Sequence, residues 1–267
     1  MADLCDLWMS LFEIVRNKSH LQEMFEPLEC VALRTVRYND RNSILSVYTR
    51  QHGRMSLLVP SGNTRASVRL RALTMPLGRF ECVADVRPGR DIYSIRDVKP
   101  AGGVVSMPFS PMKSAIALFV ADFLSSVLRE TQQDEALYSF LLQSVDALAS
   151  AGGASLANFH ICFMLRLQHF LGIEPDWHTY MPGAVFDLAD GIFRDTPPLH
   201  RRFLPTGEAA AAYALRRMNY RTAGVFRMSH TDRNSVVDRL LMYYQVHFPS
   251  VGALNSLSVM RAMFSGS

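Results

Sequence analysis

The chain has 267 residues, 49% of them hydrophobic, which is enough for two domains or one large domain with a sizeable core. No run of 18 or more apolar residues occurs, which excludes a helical membrane span. The acidic start, with Asp3, Asp6 and Glu13, is unlike a secretory signal, so a cytoplasmic protein is expected. The net charge of +4 conceals a segregation along the chain. Residues 31–99 hold thirteen basic groups against five acids and residues 194–239 nine against four, while residues 1–30 and 100–193 are net acidic by 4 and 6. Segregated charge points to a polyanion-binding face more than the total does. Genomic base composition would account for 25 Arg against 3 Lys, but not for the basic excess of one segment.

In chain order, residues 3–25 have helical spacing, with Leu4, Leu7, Trp8, Leu11, Ile14 and Val15 at three- and four-residue intervals. From Val31 the pattern changes. "SILSVYT" alternates, "YNDRN" and "QHG" supply turns, "RMSLLVP" is a further strand, and "LGRFECVADVR" and "DIYSIRDV" complete a set of five. With a loop or short helix near 61–75, this predicts a small barrel of the OB type. From Met112 the period becomes helical. "SAIALFVADFLSSVLRE", "DEALYSFLLQSVDALAS" and "LANFHICFMLRLQHFLG" are three helices, the second with Asp134 as N-cap and the third closing on Gly172. The stretch "IEPDWHTYMPGAVFDLADGIFRDTPPLHRRFLP" reads as irregular. Helices resume at "GEAAAAYALRRM", "DRNSVVDRLLMYYQVHF" and "LNSLSVMRAMF". The expected fold class is α+β: a helical extension over 1–26, a five-stranded OB-type barrel over 27–106 and an all-α domain over 107–267.

Catalytic signatures are missing from the sequence: there is no GxSxG, HExxH or Walker loop, and no cofactor is expected. Gly102–Gly103 and Gly152–Gly153 lack dinucleotide-binding spacing and read as turns. Cys5, Cys30, Cys82 and Cys162 are scattered, with no CxxC pair, so reduced thiols are expected and no zinc site. His160 and His169 are nine apart on one helix, a spacing that does not align metal ligands. Asp187 and Asp190, three apart in "FDLADG", read as a solvated pair.

The basic segment is more informative. Arg34, Arg37, Arg41, Arg50 and Arg54 surround Tyr38 and Tyr48. Arginines neutralise phosphates and aromatic faces stack exposed bases, so these seven residues form the candidate DNA-binding set. The bland alternative is ordinary surface arginines with tyrosines covering a barrel core. An RNA- or ribosome-associated OB protein is a second functional reading, and a nucleotide-processing enzyme a third.

"VALRTVRYNDRNSILSVYTRQHGRMSLLVPSG" resembles the opening of the RecO family of bacterial recombination mediators: an apolar strand, a basic residue, a Tyr, an acidic–polar turn, a strand ending in a "YT" step and a "HG" turn. "NFHICFMLRLQHFLGIEPDW" is similar to that family's central helix and following loop. "LLMYYQVHFPSVGALNSLSVMRAMF" resembles the ending of its Bacteroidetes branch. The likeness runs in order over about residues 27–264. It implies a non-catalytic protein that binds single- and double-stranded DNA and anneals complementary strands. It further implies that the protein works with RecR to load RecA onto DNA coated by single-strand DNA-binding protein, associating with the nucleoid during repair. It also implies docking of the latter protein's acidic, hydrophobic C-terminal tail, which needs an apolar pocket beside a cation. Arg166 with Phe163, Leu167 and Phe170 is the candidate. Many relatives carry a four-cysteine zinc site in the helical domain. This chain has only Cys162 there, so no metal is carried over. The family usually opens just before the first strand, which leaves the first 25 or so residues as a genuine acidic helix or as an extension preceding a start at Met24.

Overall fold

A computed structural model of the chain describes residues 25–101, 110–128 and 132–265. The helix expected over 3–25 lies outside the described residues except for Phe25, which is strand, and the pair Gly102–Gly103 lies outside them. The described residues form two compact units, 25–101 with 132–134, and 110–128 with 135–265. No helix among them is long and apolar enough to cross a membrane.

The first unit is a closed barrel of five strands, β1 (Phe25–Arg37), β2 (Asn42–Thr49), β3 (Gly53–Pro60), β4 (Arg79–Asp85) and β5 (Ile92–Pro100), in the order β1-β2-β3-β5-β4. Helix α1 (Arg65–Leu73) lies between β3 and β4. This is the OB-type barrel that the strand pattern predicted. Alternation explains its core: Leu28, Cys30 and Ala32 of β1, Leu45 and Val47 of β2, Leu57 of β3 and Phe80 of β4 point inward and are buried, and Leu70 of α1 closes the cluster. Two parallel rungs, Ser56 with Ile92 and Leu58 with Ser94, bracket the β3–β5 seam that completes the cylinder.

Strand β1 bends and serves two partners. Its first half pairs with β4, from Phe25 opposite Asp85 to Val31 opposite Arg79, and its second half pairs with β2. Between the halves the register slips by one residue at Leu33. There the Ala32 N–H donates to the Gly78 carbonyl, and the Ala32 carbonyl accepts from the Leu77 N–H, both at 2.8 Å. Only glycine fits at 78, since a Cβ there would lie 2.2 Å from the Leu73 carbonyl oxygen. A bulge of this kind bends the strand and redirects the residues beyond it. Past Leu33 the alternation stops and Arg34, Thr35, Val36 and Arg37 are all exposed, so the tip of the β1–β2 hairpin stands clear of the barrel core.

The second unit packs α2 (Pro111–Val127), α3 (Glu135–Ser150), α4 (Gly153–Ala157), α5 (Phe159–Phe170), α6 (Thr206–Leu215), α7 (His230–His247) and α8 (Asn255–Ser265). Phe119, Phe123, Phe159, Phe163 and Tyr244 fill its centre, and the Tyr244 hydroxyl donates to the Met164 carbonyl at 2.7 Å. The central helix starts after Asn158, whose carbonyl accepts the Cys162 N–H and whose side-chain amide donates to the carbonyls of Ala223 and Phe226. It ends, as expected, on Gly172, whose φ of 68° is left-handed.

This unit departs from the all-α expectation. The stretch read as irregular contains a three-stranded sheet, β6 (Val185–Asp187), β7 (Ile192–Arg194) and β8 (Phe203–Leu204), in the order β7-β6-β8. Asp187 holds it together and is not solvated: its side chain is 1% exposed. It accepts the N–H groups of Ala189 and Asp190 and the Arg194 guanidinium, and His200 stands 3.4 Å away. Burial pushes this carboxyl up, but those donors and charges outweigh it and hold it below the usual carboxylate range. Asp190 is exposed and pairs with Arg194.

Candidate nucleic-acid interface

The turn between β1 and β2 is built by one side chain. Asn39 Oδ1 accepts the N–H groups of Arg41 (2.9 Å) and Asn42 (2.8 Å), and the Asn42 carbonyl accepts from Tyr38 and Asn39. An Asx turn of this type fixes a short polar loop without a core. It presents Tyr38, 60% exposed, with Arg41 beside it. Arg37 pairs with Asp40 at 2.6 Å, both well exposed, an arrangement of small net worth that a phosphate can displace. Arg34 and Arg41 have no acidic partner among the described residues. Register puts Arg34 opposite Ser46 and Arg37 opposite Ser43, so these two arginines project from opposite faces of the hairpin tip.

The other predicted residues lie elsewhere. Arg50 and Arg54 sit at the β2–β3 turn, seven residues along β2 from its start, about 23 Å away at the usual rise per residue. Arg50 stands 3.3 Å from Glu29. Tyr48 is fully buried, which corrects the expectation that its ring is open to a base. It occupies the outer face of β2, opposite Val31 and Arg54. Its hydroxyl reaches the Gln132 carbonyl at 3.5 Å. Burial, with the Asp134 charge adding to it, pushes its phenol up to about 12. Tyr48 is therefore neither a stacking platform nor part of the barrel core. It is a wall residue covered by the segment 132–134.

Two arginines that the sequence pattern did not single out belong beside the hairpin tip. Pro60 pairs with Asn42, and the Ser61 N–H donates to the Arg41 carbonyl at 2.8 Å, which ties the end of β3 to the turn. Helix α1 starts four residues later, capped by Thr64 accepting from the Ser67 N–H. Its Arg65 and Arg69, four residues apart on one face, line a groove of about 570 Å³ floored by Leu70, Leu73, Ile95 and Val98. Both are exposed and without an acidic partner among the described residues. The i, i+4 spacing in "TRASVRLRAL" was the available signal. Ion pairs elsewhere in the barrel join other bases: Asp85 with Arg87 and Arg90, Glu81 with Lys99, and Glu26 with His52.

The residues proposed for tail docking do not form a pocket. Phe163 and Leu167 are buried, and Phe163 stacks on Phe140 at 5.4 Å inside the helical unit. Arg166 is exposed, and Phe170 is half-buried against the other side of Phe140, at 4.5 Å. Only these last two reach a ligand. The helical periodicity placed all four on one helix but could not tell its core face from its rim. His160 is buried, whereas His169 is exposed and sits 2.8 Å from Glu174. The described residues contain no group of three or more His, Cys, Asp and Glu fit to hold a metal.

Residues 16–104 match the family model for the recombination protein O N terminal region, and residues 109–256 match that for the recombination protein O C terminal region. Among curated proteins, the chain is 37% identical over 235 residues to the DNA repair protein RecO of Phocaeicola vulgatus, covering 88% of this chain and 97% of that one. Its identity to the protein of the same name from Bacteroides fragilis is 35%, with the same coverage. To that of Porphyromonas gingivalis it is 33% over 240 residues, 88% of this chain and 97% of the other.

Proposed function

The chain belongs to the recombination protein O (RecO) family, whose place is in DNA repair and recombination, and on that premise we propose that it binds DNA through the tip of the β1–β2 hairpin and the adjoining face of α1. The observation that carries this is a set of exposed cations without acidic partners among the described residues, Arg34, Arg41, Arg65 and Arg69, on the hairpin tip that exposes Tyr38 and on the helix tied to it. Annealing two strands is opposed by phosphate repulsion. A fixed row of guanidinium groups lowers that repulsion and releases counterions from each strand. Tyr38 offers a ring face on which an unpaired base stacks. No bond is made or broken, so the protein acts without catalytic residues and without a cofactor.

In this reading the protein binds both single- and double-stranded DNA. With RecR it helps load RecA onto DNA coated by single-strand DNA-binding protein. The coating protein's acidic tail meets Arg166 and the exposed edge of Phe170. The test is annealing of complementary strands coated with the cognate single-strand binding protein. The wild-type chain accelerates it, and Arg37→Glu with Arg41→Glu slows it. Unchanged annealing in that variant sinks the site assignment, and preference for structured RNA over single-stranded DNA sinks the function. A labelled tail peptide that binds Arg166→Ala as well as wild type removes Arg166 from the docking site.

A further inference from the structure

The helical unit contains a cavity of about 420 Å³ between α5, the small sheet, α6 and α7, far along the chain from the arginines of the barrel. Its walls are apolar: Leu165, Trp177, Phe186, Leu204, Leu215 and Leu240. Two buried polar atoms in this lining are left without a partner. Gln168, 2% exposed, has a buried Oε1 that meets no hydrogen-bond donor, and the Oε2 of Glu208 is buried and equally without one. A buried acceptor left unmatched is costly, and native proteins seldom keep two beside one cavity. The charge balance at the mouth is also specific. The Arg239 guanidinium is taken by the other oxygen of Glu208 at 2.7 Å. Asp232 is engaged by Ser229 at the start of α7. The cavity thus offers apolar volume, two open acceptors and no free cation among its lining residues.

We propose that this cavity is a docking site for a partner-protein segment in which a large apolar side chain neighbours a lysine or arginine. The apolar side chain fills the volume, and the cationic donor satisfies Glu208 Oε2 and Gln168 Oε1. A peptide segment is favoured over a free small molecule by the mouth itself. Ala211 and Ala214 on the outer side of α6 are exposed and line the opening, so a backbone can lie across them closely. The site is separate from the DNA reading and selects the opposite charge: an acidic segment would meet Glu208 and Asp232.

The chain has two tryptophans, Trp8 and Trp177. In the full-length chain carrying Trp8→Phe, the fluorescence of Trp177 reports occupancy of the cavity wall. The probes are two capped pentapeptides of the sequence Gly-Leu-Phe-X-X, one with Lys at both X positions and one with Glu. The basic peptide is expected to shift the Trp177 emission saturably, with a Kd at least 10-fold below that of its acidic twin. Glu208→Gln should erase most of that discrimination. Ala211→Phe, a bulky substitution at an exposed helical position that adds no tryptophan, should block the mouth and abolish the shift without unfolding the chain. The proposal is overturned if neither peptide gives a saturable shift, if the acidic twin binds as tightly as the basic one, or if Ala211→Phe binds unchanged.

Discussion

Replacing Arg34, Arg37 and Arg41 together by alanine should flatten the salt dependence of DNA binding, by an amount that can be worked out beforehand. Each phosphate neutralised contributes about 0.7 to the slope of log K against log salt for a single strand and about 0.9 for a duplex. Three lost contacts therefore lower the slope by about 2.1 on single strands and about 2.7 on duplex. Between 50 and 200 mM salt, the wild type should lose about 18-fold more single-strand affinity than the variant does. Folding should be unaffected, because all three side chains are exposed and the Arg37–Asp40 pair is a surface pair. The assay is fluorescence anisotropy of a labelled oligothymidine over a salt series, with Arg50→Ala/Arg54→Ala as the comparison at the far end of β2. The reasoning is refuted if the triple variant keeps the wild-type slope while the double variant loses it, since the two ends of the hairpin would then have been assigned the wrong way round.

Tyr38→Ala should weaken single-strand binding by about 1–3 kcal/mol with the salt slope unchanged, while Tyr38→Phe should not. Equal losses for the two variants would mean that the hydroxyl and not the ring makes the contact. Asp187→Asn should destabilise the helical unit by about 2 kcal/mol, the scale of hydrogen bonds to a charged group. Because the Asp187 carboxyl titrates below its usual range in the folded chain, its contribution is present above a pH of about 4 and is lost as pH falls through the folded value, so melting curves of variant and wild type should converge in acid. A gap that stays constant with pH would contradict this. His160 is wholly buried, and burial, with Arg233 and Arg261 adding to it, brings its imidazole down to about 3. The unfolded chain then binds the extra proton between pH 6.5 and 3, and stability falls by about 2 kcal/mol from pH 6.5 to 5, a loss that His160→Leu should remove in urea titrations at the two pH values.

The barrel was legible because its strands are long enough to alternate. The eight residues of β3 bury four alternate positions and the eight of β2 bury Leu45, Val47 and Thr49, and the turn residues between them are unambiguous. The small sheet was not legible, since strands of two and three residues carry no period, and what holds them is a buried carboxylate at 187 whose partners are Arg194 and His200. The candidate DNA site was half legible. Composition marked the arginines, but not which ones gather. A single bulge at Leu33 decides that, and the alternation rule applied straight through it assigns the wrong face to every residue beyond. Tyr48 was misjudged for a different reason: its cover comes from residues 132–134, more than eighty positions away, and no local pattern announces such a contact.

The bulge also explains how one short strand serves stability and function together. Up to Ala32, β1 is a core strand, and its alternating Leu28, Cys30 and Ala32 leave no freedom for charge. Past Leu33 no side chain of the strand is buried, so arginines at 34 and 37 cost the core nothing. Because Leu77 and Gly78 bond to Ala32 at the switch point, the hairpin tip is anchored to the segment that follows α1. Because Ser61 bonds to Arg41, the same tip is anchored to the segment that precedes α1. Helix α1, with Arg65 and Arg69, is thus tied to the hairpin from both of its ends, so the two groups of cations are held in one frame. Gly78→Ala tests this coupling. The added Cβ meets the Leu73 carbonyl at 2.2 Å and forces the α1–β4 link to move. DNA affinity should then fall although no cation has been removed, whereas wild-type affinity in a folded Gly78→Ala chain would show that the hairpin tip binds without help from α1.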